Sequence, residues 1–301
     1  MPKDVLDLVG NTPVVELARI NDTQSSILAK LEALNPSGSI KDVMALYMIA
    51  IAERNGVLRP GSQIIEATSG NTGISFAMIA PLKGYKFVAV MPEHMSKERR
   101  QMMQAFGAEI ILTLEKEGFV GALERLEQLA KESRSAWLPR QFDNPDNIAA
   151  HREITGKRIL EEIGDRIDVF VAGVGTGGTL MGVAEALRGV YRDVKIVAVE
   201  PAESAVMSGG KPGSHTIQGI GPGFIPSLVN MDLVDEVIKV KSNDASDMTR
   251  RLIREEGLMV GVSSGANVFA ALQVAQKSGK GKTIVTILPD RGERYLSMNL
   301  F

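Results

Sequence analysis

Residues 169–179 read VFVAGVGTGGT, an apolar run that passes directly into a glycine-rich segment. The apolar run is typical of a buried strand, and the pattern that follows the glycines favours a helix to about residue 187. The G-x-G-x-x-G spacing at 173–178 indicates phosphate binding, because glycines let the backbone approach an anion and free N–H groups at a helix start face it. Glu200 follows the next predicted strand, 194–199, and mimics the acid that binds a ribose in nicotinamide sites. The segment therefore predicts a phosphate site, with a purely structural turn as the alternative.

The same succession of strand, turn and helix recurs on both sides of this segment. We predict further elements at residues 11–30 (strand, loop, strand), 43–54 (helix), 64–68 (strand), 74–82 (helix), 87–91 (strand), 97–106 (helix), 108–112 (strand), 258–262 (strand), 266–276 (helix) and 283–288 (strand). Strands that alternate with helices predict an α/β fold with open, twisted, mainly parallel sheets and helices on both faces. The length of 301 residues fits two such domains, with a division near residues 143–147.

Composition excludes several classes of function. With 34 basic and 36 acidic residues the net charge is −2, which offers no basic face for nucleic acid. The sequence has no cysteine, so it has no disulfide, thiolate metal site or Cys nucleophile, and its three scattered histidines lack zinc-ligand spacing. The charged residues at 1–4 do not fit a signal peptide, and no stretch approaches the ~20 apolar residues that span a bilayer. We expect a cytoplasmic protein that binds no metal, no nucleic acid and no membrane.

Lys41 lies where the turn-rich stretch NPSGSIKD, residues 35–42, enters a predicted helix. A cation in the first turn opposes the helix dipole, which costs about 0.3–1 kcal/mol at an exposed position. Two interpretations stay open: a solvated lysine, or a partly buried amine whose pKa is low enough for Schiff-base chemistry.

The stretch TSGNTG at 68–73 concentrates hydroxyl, amide and glycine residues at another predicted helix start. Free N–H groups with Ser and Thr hydroxyls form a receptor for a carboxylate. A single N-cap explains one such residue but not a cluster, so the pattern favours a binding site. Ser263 and Ser264 follow the predicted strand 258–262, and by themselves they indicate ordinary capping.

Five motifs in the same order resemble the cysteine synthases, or O-acetylserine sulfhydrylases. They are PSGSIKD at 36–42, TSGNTG at 68–73, GTGGT at 175–179, GVSSG at 261–265 and GERYLS at 292–297, and the resemblance begins at GNTP, residues 10–13. It implies a pyridoxal 5'-phosphate enzyme with the tryptophan synthase β-like fold, usually a homodimer, whose cofactor lies in the cleft between two α/β domains. By this likeness a smaller, mobile domain spans residues 36–147, and a larger domain combines 1–35 with 148–301.

The resemblance also implies roles for individual residues. Lys41 would be the catalytic Schiff-base lysine, Asn71 would bind the phenolic oxygen of the cofactor, and Ser263 would face its pyridine nitrogen. The cofactor phosphate would lie on Gly175, Thr176, Gly177, Gly178 and Thr179. The substrate would be bound by Thr68, Ser69, Gly70, Asn71, Thr72, Gln141 and Gly219. A neutral hydroxyl at the pyridine nitrogen cannot keep it protonated, which favours expulsion of a β-leaving group over transamination.

The implied reaction is a β-replacement that forms L-cysteine from O-acetyl-L-serine and sulfide through an α-aminoacrylate intermediate. Cystathionine β-synthase and cysteine desulfhydrase or lanthionine synthase activities stay open on the same scaffold, as does thiosulfate as the sulfur donor. Two alternatives come from other classes: a nicotinamide-dependent oxidoreductase that uses 173–178, and a non-catalytic binding module that keeps the fold of the enzymes. Family members also bind the carboxyl-terminal tail of serine acetyltransferase, which makes that tail a candidate partner.

Overall fold

The computed structural model describes residues 2–133, 135–298 and 300. Within these residues the strands form a four-stranded and a six-stranded sheet. The helices cover both faces of each sheet, as the alternating pattern predicts. No helix among the described residues has both the length and the apolar character that crossing a membrane requires.

The four-stranded sheet has the order β5-β4-β3-β6, and all of its strands are parallel. Its elements are β3 (Gln63–Ala67), β4 (Lys86–Pro92), β5 (Glu109–Thr113) and β6 (Ala136–Trp137), with helices α1 (Lys41–Arg54), α2 (Asn71–Leu82), α3 (Lys97–Ala105) and α4 (Gly118–Glu132). Because successive strand residues point to opposite faces, Ile64 packs with α1 and α2, whereas Ile65 packs with α4. Both strand residues are buried, so β3 is covered on its two sides.

The six-stranded sheet has the order β1-β2-β10-β7-β8-β9 and is parallel except for the β1–β2 pair. Its elements are β1 (Val14–Glu16), β2 (Ser26–Lys30), β7 (Val169–Gly173), β8 (Lys195–Pro201), β9 (Glu236–Val240) and β10 (Thr283–Ile287), with helices α5 (Asp146–Ala150), α6 (Lys157–Ile163), α7 (Gly178–Arg188), α8 (Ser242–Glu256) and α9 (Val262–Ser278). A π-helical segment, His151–Gly156, joins α5 to α6. Phe170 faces α7, whereas Val171 faces α9.

Short 3₁₀ helices complete the chain at Val5–Leu8, Glu32–Leu34, Glu115–Glu117, Ala202–Ser204, Met231–Leu233 and Gly292–Met298.

The predicted strand at 258–262 is wrong. Val260 forms only an isolated bridge with Arg291, and α9 already begins at Val262. The backbone of the segment hydrogen-bonds to residues 290–292 and not to a sheet. Gly261 N–H donates to the Asp290 carbonyl and Gly292 N–H donates to the Met259 carbonyl, each at 3.0 Å. Ser263 and Ser264 therefore lie in the first turn of a helix. Helices α1 and α2 also begin earlier than predicted, so Lys41 and Asn71 are the first residues of their helices.

Candidate active site

The amino-terminal ends of α1, α2, α7 and α9 contribute to one cavity of about 290 Å³ between the two sheets. Such a cavity is close to the size of sites that hold small cofactors. Apart from Gly178, the predicted site residues line it: Lys41, Thr68, Ser69, Gly70, Asn71, Thr72, Gln141, Gly175, Thr176, Gly177, Thr179, Gly219 and Ser263. The arrangement brings the separate sequence motifs into one site.

Lys41 is the first residue of α1 and lines the cavity. The carboxylate of the next residue, Asp42, accepts hydrogen bonds from Ser37 N–H at 2.7 Å and from the Ser75 hydroxyl at 2.6 Å, and it also binds the Ser37 hydroxyl. These bonds fix the loop that precedes α1. Burial lowers the pKa of the Lys41 amine to about 8, although the charge of Asp290 opposes this shift. About a tenth of the amine is therefore neutral at pH 7 and half of it at about pH 8, and the neutral form is the one that a nucleophile or general base requires.

The TSGNTG segment forms the wall of the cavity at the start of α2. The Thr68 hydroxyl accepts from the N–H groups of Gly70 and Gly73 at 3.3 and 3.2 Å, so this threonine shapes the turn. The Thr72 hydroxyl donates to Gln141 Oε1 at 2.6 Å. The helix start and its hydroxyls offer hydrogen-bond donors suited to a carboxylate.

Asn71 belongs to a buried polar network that sequence reasoning missed. Its Nδ2 donates to Asp290 Oδ2 at 2.7 Å, and Arg294 donates to its Oδ1. Tyr295 also donates its hydroxyl to Asp290 Oδ2 at 2.5 Å, and burial raises the pKa of Tyr295 well above its usual value. One Nδ2 hydrogen of Asn71 remains for a ligand. The motif GERYLS at 292–297 was the available signal, but in the sequence it supported only the resemblance and assigned no role to Arg294 or Tyr295.

The glycine-rich segment, residues 175–179, forms a backbone cradle that packs too closely against its neighbours to leave room for side chains at its glycines. A Cβ on Gly175 would lie 2.4 Å from the carbonyl oxygen of Gly219, and Gly177 has a φ of +91° with only 2.6 Å between such a Cβ and Val229. Gly178 does not line the cavity, because its Cα faces the Asn147 side chain. The close approach of backbone N–H groups at the start of α7 fits an anion such as a phosphate.

His151 is a second residue that sequence reasoning missed. Its Nε2 lies 3.3 Å from the Thr179 hydroxyl, and its Nδ1 lies 3.0 Å from the Thr155 hydroxyl. Burial, with a contribution from the charge of Lys41, lowers the pKa of His151 to about 3, so the ring is neutral. It lies in the π-helical segment, a feature that is frequent at functional sites. Nothing in the local sequence links it to Thr179.

Ser263 and Glu200 have different surroundings. Ser263 lies in the first turn of α9, is 3% exposed and lines the cavity next to Gly219, where a Cβ would lie 3.9 Å from the Ser263 hydroxyl oxygen. Glu200 does not line the cavity, and its carboxylate accepts from Met207 N–H at 2.8 Å and the Ser208 hydroxyl at 2.6 Å. The acid expected of a nicotinamide site is thus used to hold a loop.

These residues fit pyridoxal phosphate. The cavity combines a partly buried amine of lowered pKa, a backbone cradle for a phosphate and a neutral hydroxyl at Ser263. Lys41 would hold the aldehyde carbon, the segment 175–179 the phosphate and Ser263 the ring nitrogen.

The comparison with protein families defines the class. The model of the family described as pyridoxal-phosphate dependent enzyme matches residues 5–290, and the chain belongs to that family. Within it, the chain is similar to the cysteine synthase of Staphylococcus aureus (strain Mu50 / ATCC 700699), with 48% identity over 300 residues that cover 99% of this chain and 96% of that protein.

Solved structures agree with this classification. The crystal structure of a cysteine synthase from Entamoeba histolytica superposes with a TM-score of 0.97 at 44% identity and covers 100% of this chain and 91% of that one. A hydrogen sulfide-producing enzyme from Fusobacterium nucleatum superposes with a TM-score of 0.94 at 43% identity, covering 98% of this chain and 100% of that one. The two-sheet fold is therefore that of known pyridoxal phosphate enzymes.

Proposed function

We propose that this chain is a pyridoxal phosphate-dependent transferase that forms L-cysteine from O-acetyl-L-serine and sulfide. The observation that carries the proposal is the meeting of Lys41, with a pKa of about 8, the TSGNTG segment and the glycine cradle in one cavity. The 48% identity to a cysteine synthase supports the same reaction.

Lys41 is the residue that holds the cofactor and moves the proton. When bound, pyridoxal phosphate stabilises the negative charge that develops at the α carbon of the amino acid. The Lys41 amine, once released by the incoming amino acid, would take the proton from the α carbon and return a proton to the α carbon of the product. A pKa of about 8 suits an amine that must both accept and donate a proton near neutral pH.

The remaining cavity residues bind and orient. The donors of residues 68–72, with the Gln141 side chain, hold the α-carboxylate, so that the α C–H bond is aimed at Lys41. Asn71 uses its second Nδ2 hydrogen for the phenolic oxygen, while Asp290 and Arg294 fix its amide. The neutral Ser263 hydroxyl accepts or donates at the ring nitrogen without adding charge, which favours loss of the acetate group.

We propose a division into two domains that close over the substrate. Residues 36–147 carry Lys41 and the carboxylate-binding segment, and residues 1–35 with 148–301 carry the phosphate cradle. The site is supported from both sheets, which is consistent with a cleft that closes. Closure would exclude water from the reacting centre and so prevent hydrolysis in place of sulfur addition.

We also propose that the protein works as a homodimer in the cytoplasm. The carboxylate-binding segment would accept the carboxyl-terminal tail of serine acetyltransferase, because a terminal carboxylate presents the same anion as the substrate. A peptide with that tail should compete with O-acetylserine. A peptide ending in an amide is the control and should not compete.

A substrate panel tests the proposed reaction. Purified protein supplied with pyridoxal phosphate is given O-acetylserine, O-phosphoserine, serine or cysteine, each with sulfide, thiosulfate or homocysteine, and products are identified by mass spectrometry. Cysteine from O-acetylserine and sulfide should dominate, Lys41→Ala should abolish it, and the exposed Lys97→Ala should not. Dominant release of hydrogen sulfide from cysteine would instead assign the activity named for the Fusobacterium nucleatum relative, and absence of all products would refute the proposal.

A further inference from the structure

Asn147 is a fully buried side chain that lies between the two parts of the cavity wall. Its Nδ2 donates to the backbone carbonyl of Gln141 at 2.8 Å and to the Thr176 hydroxyl at 3.0 Å. One amide therefore joins a residue of the carboxylate-binding wall to a residue of the glycine cradle. In the sequence, Asn147 lies in the polar stretch 143–147, where the division between the two domains is predicted.

The orientation of the Asn147 amide is fixed by its partners. The carbonyl of Gln141 can only accept, so the NH₂ group and not the oxygen must face it. The amide oxygen lies against Gly178, where a Cβ would be only 2.0 Å away, and it is buried without a hydrogen-bond partner. An unpaired buried oxygen carries a free-energy cost, which indicates that the two donated bonds determine the choice of residue.

The donated bond also sets the direction of the Thr176 hydroxyl. This oxygen accepts from Asn147 Nδ2 and, at 3.4 Å, from Gly178 N–H. In the part of the chain that the structure describes, its hydrogen has no acceptor, and Thr176 lines the cavity. Since both lone pairs face donors, the hydroxyl can serve an anion in the cavity only as a donor.

Gln141 is constrained in a similar way. Its side-chain Oε1 accepts from Thr72, and its backbone oxygen accepts from Asn147. The Nε2 group of Gln141 is then the part of the side chain that can donate to a carboxylate, because Oε1 already accepts from Thr72.

We infer that Asn147 is a positioning residue that turns the Thr176 hydroxyl toward the cofactor phosphate and holds Gln141 at the substrate carboxylate. This inference rests on the proposed function for the identity of the two anions. Asn147 itself contacts neither anion, since it does not line the cavity.

A double-mutant cycle on cofactor affinity tests the inference. Apo-protein is titrated with pyridoxal phosphate, and the Kd is measured by absorbance for wild type, Asn147→Ala, Thr176→Val and the double variant. We expect Asn147→Ala to weaken binding about tenfold, and to have almost no further effect when Thr176→Val has already removed the hydroxyl. Asn144→Ala is the matched control, because Asn144 lies in the loop just before α5, the helix that carries Asn147, bonds only to backbone groups and does not line the cavity.

A kinetic readout separates positioning from general destabilisation. In fully loaded enzyme, Asn147→Ala should raise the KM for O-acetylserine more than it lowers kcat, because Gln141 is released from its backbone anchor. Asn147→Asp keeps the side-chain volume, and its ionised carboxylate has no donor, so at a pH where it is ionised its loss of cofactor affinity should be at least as large. If circular dichroism shows that Asn147→Ala does not fold, Asn147→Asp replaces it in the comparison of cofactor affinity with wild type.

The results for wild type and Asn147→Ala separate the role of Asn147 from the proposed function. If wild type binds pyridoxal phosphate and makes cysteine but Asn147→Ala binds it equally well, or if its effect adds fully to that of Thr176→Val, the inference is wrong and the proposed function stands. If wild type neither binds pyridoxal phosphate nor turns over, the proposed function fails, and the inference fails with it.

Discussion

Glu66 is a buried carboxyl group that should make the stability of the fold depend on pH. Its side chain lies in β3 next to the cavity wall and is 4% exposed. Burial raises its pKa from 4.5 to about 7, against the lowering effect of backbone N–H groups of Gln141, Ala67 and Arg140. The group is therefore neutral in the folded protein over a pH range in which it is charged in the unfolded chain.

The sign and size of the effect follow from linkage. Between pH 4.5 and about pH 7 the folded state binds more protons than the unfolded state, so the free energy of unfolding falls as pH rises. At about 1.36 kcal/mol per pKa unit, the loss from this group reaches ~3 kcal/mol by about pH 8. The variant Glu66→Gln carries no titrating group there and escapes this loss.

Urea unfolding of the apo-protein across this pH range is the assay. The stability of wild type relative to Glu66→Gln should fall by ~3 kcal/mol from pH 4.5 to about pH 8. The exposed Glu93→Gln variant is the control and should follow the wild-type curve. Parallel curves for wild type and Glu66→Gln would refute the reasoning, because they would show that Glu66 has the same pKa in both states.

Three further predictions concern the cofactor. Gly175→Ala places a methyl group 2.4 Å from the Gly219 carbonyl oxygen, so the affinity for pyridoxal phosphate should fall more than about tenfold in an absorbance titration. Gly189→Ala, outside the cavity, is the control and should bind like wild type; equal affinities of the two variants would contradict the cradle. Because only the neutral amine reacts, the rate at which Lys41 captures pyridoxal phosphate, measured by stopped-flow absorbance, should increase with pH and reach its midpoint near pH 8. A midpoint near the ordinary lysine pKa of 10.5 would show that the amine is not buried. Ser263→Asp places a carboxylate at the ring nitrogen, so cysteine formation should fall and the keto-acid by-product should rise in a chromatographic assay. An unchanged product ratio would argue against contact between this side chain and the nitrogen.

The parts of the site that could be predicted are those that depend on local backbone conformation. The glycines at 173–178 and the TSGNTG stretch mark their turns through φ requirements and helix-start chemistry, which are readable from neighbouring residues. The parallel α/β fold was predictable for the same reason, because each strand and helix has its own periodicity.

Contacts between distant residues were not predictable in this way. Asn71 and Asp290 form a hydrogen bond although 219 positions separate them. His151 lies within hydrogen-bond distance of Thr179 only because the π-helical segment packs against α7. Such pairs leave no periodic signal in one sequence.

The error at 258–262 has a physical cause. The run LMVGV is short and apolar, which favours a strand when only composition and length are considered. Its backbone instead forms single bonds to residues 290–292, and Val262 enters α9. A short apolar run beside a serine-rich helix start therefore fits either a strand or an irregular segment that leads into the helix.

Covalent trapping tests the central claim most directly. The holoprotein is reduced with borohydride and digested, and the position of the pyridoxyl group is determined by mass spectrometry. The account predicts the adduct on the peptide that contains Lys41. An adduct on another lysine, or no adduct in protein saturated with pyridoxal phosphate, would contradict it.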